Sequence, residues 1–197
     1  MKTRASFVSN SSSSSFLVLY RDKDAFSELR HQEGYRTLID DLGDSDDGEI
    51  EHFLAGKFSI AMYDASEIER DAREGMPVRS WRMDSRNGLN ALASSLGGLT
   101  DETRKCLADG LEAAKALGRL PYDDPGRREL HDVLDALKQK FAKSMLAKAR
   151  EAWPHVCVLT YADEDGEYGN YMEHEFMPLV AGRGSDGSYL VNTQSNH

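Results

Sequence analysis

The feature that most constrains this chain is a run of five apolar residues, Phe16-Leu-Val-Leu-Tyr20, placed directly after five serines at Ser11–Ser15. The run has strand length and strand composition, and it falls far short of the ~20 apolar residues of a membrane span. Successive side chains of a strand point to opposite faces, so a strand that is apolar throughout is buried on both of them. Phe16–Tyr20 is therefore predicted to be a central strand. The serines before it mark a polar approach to that strand.

The middle of the chain reads as helix. Ser66-Glu-Ile-Glu69 has the spacing of a capping box and predicts a helix start, with Gly75 and Pro77 as its stop. Leu89, Leu92 and Leu96 mark a short helix ending at Gly97–Gly98. Thr100 caps a further helix with Asp101 and Glu102 in its first turn and Gly118 at its end. The strongest pattern runs from about Pro125 to Arg150, where Leu130, Val133, Leu134, Leu137, Phe141, Met145 and Leu146 recur at helical spacing. Near the N-terminus, Asp24 is expected to cap a short helix carrying Phe26 and Leu29.

Strands are predicted at Lys57–Tyr63, His155–Tyr161, Tyr171–Met177 and Tyr189–Asn192, where apolar residues alternate or cluster. Strands at both ends with helices between them bring the two ends into one sheet. The expected fold is α+β: a single small mixed sheet built from N- and C-terminal strands, with a helical middle segment packed on it. One domain over 1–197 is expected, its helical excursion covering about 65–152.

Charge narrows the partners. Lys and Arg number 24 against 34 Asp and Glu, a net charge of −10. That balance disfavours nucleic acid and anionic membrane at long range and suits a protein with a basic surface. Seven acids and no Lys or Arg lie between Asp40 and Glu51: Asp40, Asp41, Asp44, Asp46, Asp47, Glu49 and Glu51. They read as a loop or solvated helix edge and are the expected partner-binding residues. Lys2 and Arg4 precede no apolar stretch of the length that a secretory signal needs, so a cytoplasmic protein is expected. Cys106 and Cys157 lack Cys-x-x-Cys spacing and read as reduced, packed thiols.

Two polar groups are candidate sites. Ser9, Asn10, Ser11, Ser12 and Ser13 precede a strand, and consecutive backbone N–H groups there suit an anion. The segment lacks the glycines and lysine of a phosphate-binding loop. At the other end Asp163, Glu173, His174 and His197 combine carboxylate and imidazole, which suits acid–base catalysis or a divalent metal; no particular metal or cofactor is indicated. Neither glycine-containing acidic stretch fits a calcium-binding EF-hand loop, because its position 1 falls on Tyr161 or Gly43.

The phrase Ser6-Phe-Val-Ser-Asn-Ser-Ser-Ser-Ser-Ser-Phe16 resembles the opening of a group of small bacterial and phage proteins. Tyr161-Ala-Asp-Glu-Asp-Gly166, Glu173–His174 and Ser195-Asn-His197 are similar to their endings, more loosely. The resemblance implies a bacterial or phage origin and no chemistry. Two readings of function follow. The first is a non-enzymatic binding or regulatory protein acting through its acidic surface. The second is a small metal-dependent or acid–base enzyme whose site joins the serine loop to Asp163, Glu173, His174 and His197.

Overall fold

A computed structural model describes residues 13–78, 84–96, 98–162 and 165–195. The chain begins with β1 (Ser13–Tyr20), a 3-10 helix at Lys23–Leu29 and α1 (Tyr35–Asp41). Four helices follow: α2 (Asp47–Glu74), α3 (Asp84–Ser95), α4 (Asp101–Arg119) and α5 (Gly126–Ala152). The chain then returns as β2 (His155–Ala162) and passes through α6 (Gly166–Asn170), a π-helical segment Tyr171–Phe176 and α7 (Met177–Val180). It ends in β3 (Gly182–Arg183) and β4 (Tyr189–Ser195).

The strand order is β2-β1-β4-β3, and every pairing among the described residues is antiparallel, so the sheet is not the mixed one expected. β1 is interior, as five consecutive apolar residues require. Leu17 and Leu19 join the core shared with α2, α4 and α5, while Phe16, Val18 and Tyr20 join a second core under Phe26, Leu38, Met172 and Phe176. The fold is thus α+β, with N- and C-terminal strands in one sheet and the helical middle packed on it.

The three long helices pack closely because α4 carries glycine where α2 crosses it. A Cβ at Gly118 would lie 2.2 Å from the Ser66 carbonyl oxygen, and one at Gly110 would lie 2.7 Å from Phe58. Against the fixed Ser66 carbonyl only glycine allows the approach at Gly118, and a side chain at Gly110 would have to displace the buried Phe58 ring. Gly118 therefore serves packing, and α4 continues through it to Arg119.

Several local expectations are corrected. Lys57–Tyr63 lies inside α2, not in a strand. Ile50, Phe53, Leu54, Phe58, Ala61 and Met62 are all buried, and this 3.6-residue period overrides the short alternation seen at 58–62. Ser66-Glu-Ile-Glu69 is helix interior, and the N-cap belongs to Asp46, whose carboxylate accepts from the Glu49 N–H at 2.9 Å. The helical excursion accordingly starts well before residue 65. Asp22, not Asp24, caps the 3-10 helix, accepting from the Ala25 N–H at 3.1 Å. Tyr171–Met177 is helical: Met172, Glu173, Phe176, Met177 and Val180 form one buried stripe, while Tyr171 and Glu175 are not buried. In α5 the buried stripe is Phe141, Ala142, Met145, Leu146 and Ala149, and Leu134 and Leu137 are only half-buried.

Candidate functional site

The register of β1 with its two neighbours sorts the sheet into cross-strand rows. On the face toward the long helices, the rows are Val156–Leu19–Leu190, Val158–Leu17–Asn192 and Thr160–Ser15–Gln194. On the opposite face, they run from Cys157–Val18–Val191 through Leu159–Phe16–Thr193 to a last row centred on Ser14, paired with Tyr161. Both faces therefore change from apolar to polar toward the start of β1. That polar end is where the candidate residues of the two chain ends meet.

Ser14 is buried, and its hydroxyl donates to Glu173 Oε1 at 2.9 Å. Glu173 is 3% exposed, and its other oxygen lies 3.7 Å from His174 Nε2. That separation is beyond a hydrogen bond. The two residues were expected on a strand, with side chains on opposite faces. They sit instead on the π-helical segment, and the wider turn carries Glu173 onto the sheet. Single π turns inside helices are rare and concentrate at functional positions. With Phe16, Pro178, Ala181 and Thr193, these groups line a cavity of about 310 Å³.

The other residues of the two predicted sites divide. Ser13 begins β1 opposite Ala162. Ser9, Asn10, Ser11, Ser12, Asp163 and His197 lie outside the described residues. The structure thus joins part of the serine segment, through Ser14, to Glu173 and His174. Among the described residues no group of three His, Cys, Asp or Glu is arranged to hold a metal ion.

The acidic segment has a physical role that its sequence conceals. Asp41 accepts from the Tyr161 hydroxyl at 2.8 Å and from the Tyr168 hydroxyl through the same oxygen. Burial, helped by these bonds, pushes the Tyr161 phenol up and raises Tyr168 to about 12. Asp44 lies 3.2 Å from His155 Nδ1 and accepts from the Val156 N–H. Asp46 caps α2, and Asp47 pairs with Arg150 at 3.0 Å. Ser45, between them, bonds Val156 and Val158, so residues 44–45 cover the outer edge of β2. Asp40, Glu49 and Glu51 take no such part. Six of the seven acids remain exposed, Glu51 being half-buried.

A second concavity of about 580 Å³ lies on the helix-facing side of the polar end, walled by Ser15, Thr160, Gln194, Glu49 and His52. Sequence reasoning missed Thr160, Gln194 and His52. The signal available for the strand residues was parity: Ser15 and Thr160 are the polar members of otherwise apolar faces of β1 and β2, and Gln194 follows Asn192 on the same face of β4.

Most of the basic residues late in α5 are paired with acids: Lys138 with Asp135, Lys140 with Glu102, Lys148 with Glu151 and Arg150 with Asp47. Cys106 and Cys157 are free and buried, and burial pushes both thiols up, away from nucleophilic use. Among the described residues no helix is long and apolar enough to cross a membrane. No protein-family model matches the chain, and neither a curated protein nor a solved structure is similar to it.

Proposed function

We propose that the protein works by binding, and that it engages a protein with a basic surface through the acids around the polar end of the sheet. The observation that carries this reading is the division of labour in the acidic segment. Asp41, Asp44, Asp46 and Asp47 fix its backbone to β2, α2 and α5, which leaves Asp40, Glu49 and Glu51 on a preset surface. Asp40 adjoins the Asp41–Tyr161 contact on one face, and Glu49 lines a groove with Thr160 on the other, so these two acids bracket the polar end, with Glu51 following Glu49 on α2. A surface held in one conformation loses less entropy on association. Like charges close together also raise the on-rate of an oppositely charged partner.

The test uses an oligolysine peptide and two charge-matched triple variants. Asp40→Asn/Glu49→Gln/Glu51→Gln removes the three charges of the acidic segment that hold no structural contact among the described residues. Asp123→Asn/Glu129→Gln/Asp132→Asn removes three exposed charges around the start of α5. The first is expected to slow association several-fold and flatten its salt dependence, with the second close to wild type. Equal effects from both would mean that only total charge matters, and the reading would fail.

Acid–base catalysis is the second reading, favoured by one specific contact, the Ser14 hydroxyl on the buried Glu173 carboxylate beside His174. Glu173 would take the serine proton, and His174, 40% exposed, would exchange protons with solvent. Hydrolysis of activated esters by wild type, lost in both Glu173→Gln and Ser14→Ala, would favour it over binding alone. A divalent-metal version requires micromolar zinc, manganese or magnesium binding that Glu173→Gln weakens.

A further inference from the structure

We propose that the cleft between α2 and α5 binds a small amphipathic carboxylate, with its apolar body inside the cleft and its head on Arg127 and Ser66. The cleft holds about 240 Å³ and has apolar walls: Phe58 and Met62 of α2, Leu117 of α4 and Leu134 of α5. Asp47 pairs with Arg150, and the Phe58 ring lies 5.2 Å from Phe141, so α2 and α5 run antiparallel. Ser66 and Glu67 of α2 therefore meet Arg127 and His131 at one end of the cleft. There it adjoins a second cavity of about 500 Å³, which shares Ser66, Glu67 and Arg127.

One buried group there lacks a partner. Ser66 is 7% exposed, and its hydroxyl makes no hydrogen bond among the described residues. The oxygen is not among those shielded from solvent, and the residue lines both cavities. Buried polar groups are almost always satisfied, so this hydroxyl calls for a partner from outside the chain. Water alone would serve it. The charges beside it select an anion.

The acids of the two cavities are engaged already. Glu67 is buried against Arg70, Glu74 pairs with Arg73, Asp135 pairs with Lys138, and Asp71 has contacts of its own. Arg127 is the guanidinium left over, because no acid pairs with it among the described residues. It donates to the Leu117 and Leu120 carbonyls at 2.9 and 3.3 Å and lies 5.6 Å over the Tyr122 ring. Those contacts fix the group and use two of its five donors. A fork of this kind holds a carboxylate through two bonds at once. His131, exposed at the rim, adds a further donor. The apolar walls exclude a bare inorganic anion as the preferred ligand, since it would leave them facing water. At about 30 Å³ per heavy atom the cleft takes about eight, the size of a medium-length chain or one ring.

The cleft shares no residue with the acidic segment or the Glu173 cavity, so its test leaves the proposed function untouched. A proton–nitrogen NMR titration of the full chain compares sodium octanoate with octanol, octylammonium and inorganic phosphate. Saturable shifts are expected from octanoate at the amides of Ser66, Glu67, Leu117 and His131. Ser66→Ala removes an unpaired hydroxyl, so the melting temperature should hold or rise. The same variant should weaken the octanoate Kd about tenfold, as loss of a hydrogen bond to a charged group does. Arg127→Gln should weaken it further, and His131→Ala severalfold. Since His131 is exposed, its variant should fold even if Arg127→Gln does not. Octanol binding as tightly as octanoate would overturn the proposal, because the head would then not matter. So would saturation by octylammonium or phosphate in place of octanoate, or silence from all four compounds. An octanoate Kd that neither Ser66→Ala nor His131→Ala changes would overturn it as well.

Discussion

The two ends of β1 differ in what they contribute. Toward Tyr20, both faces of the strand are sealed: Leu19 meets Val156 and Leu190 on one side, and Tyr20 stacks on His155 at 4.9 Å on the other. Toward Ser13 the same strand, with the same two neighbours, carries hydroxyls on both faces, each beside a cavity. The backbone pairing is continuous along its length, so hydrogen bonding of the ladder does not distinguish the ends. Side-chain chemistry does. One end supplies the burial that holds three layers together, and the other sets polar groups beside two cavities on a continuously paired strand.

The sharpest way to break this contrast is to place a charge in the sealed end. Val18 is fully buried, and Val18→Asp leaves an unpaired carboxylate in the apolar layer. A loss above about 4 kcal/mol is expected, among the largest that a point change produces. Denaturant unfolding checks it, and a variant nearly as stable as wild type would show that the end is not sealed. At the polar end, Ser14→Ala removes one donor from the buried Glu173 carboxylate and should cost about 1–3 kcal/mol. Ser14→Thr, which keeps the hydroxyl, should recover part of that loss.

Lys57 gives the contrast a pH signature. It lies over the Phe53 ring at 5.5 Å, beside the polar groove, and burial lowers its pKa to about 8 from the ordinary 10.5. A depressed lysine releases its proton more readily folded than unfolded. Between about pH 8 and 10.5 the unfolded chain therefore binds more protons, and the lysine's contribution to stability rises with pH. Lys57→Met should raise the melting temperature at pH 7, with the difference from wild type shrinking by pH 10. A difference independent of pH would mean that the ammonium is well solvated. The smallest effect concerns the acids that bracket the polar end. Asp40→Asn, Glu49→Gln and Glu51→Gln together should change stability by no more than about 1 kcal/mol, because among the described residues no side-chain hydrogen bond or ion pair holds them and only Glu49, in the first turn of α2, meets the helix dipole. In contrast, Asp41→Asn disturbs two tyrosine hydroxyls and should lower the melting temperature measurably.

How much of this was legible in the sequence depends on the range of the interaction responsible. Phe16–Tyr20, His155–Tyr161 and the cap at Thr100 were readable because the constraint is local: composition for the strands, one side-chain bond for the cap. The 57–63 segment misled because a five-residue window cannot separate a period of 2 from one of 3.6, and only the continuation from Ile50 to Met62 does. Ser66–Glu69 has capping-box spacing, but Gly118 of α4 packs on the Ser66 carbonyl, a contact 52 residues away that no local pattern encodes. Of the candidate site, placing both chain ends in one sheet brought the serine segment near the C-terminal residues, but Ser14 meets Glu173 from a π-helical turn and not from the strand expected at 171–177, a geometry that no local pattern encodes. The acidic run was legible as charge, whereas its use as a clasp on β2 and α5 was not, since its partners Tyr161, His155 and Arg150 are over a hundred residues distant.

The central claim is that the acids bracketing the polar end form a working surface that the rest of an acidic protein does not duplicate. A proton–nitrogen NMR titration with oligolysine at physiological salt addresses it residue by residue. The account expects shifts concentrated at Asp40, Asp41, Glu49 and Glu51 and at their neighbours Thr160 and Tyr168, with α4 and the start of α5 unmoved. Shifts spread evenly over the exposed acids, or strongest at Asp123, Glu129 and Asp132, would contradict it.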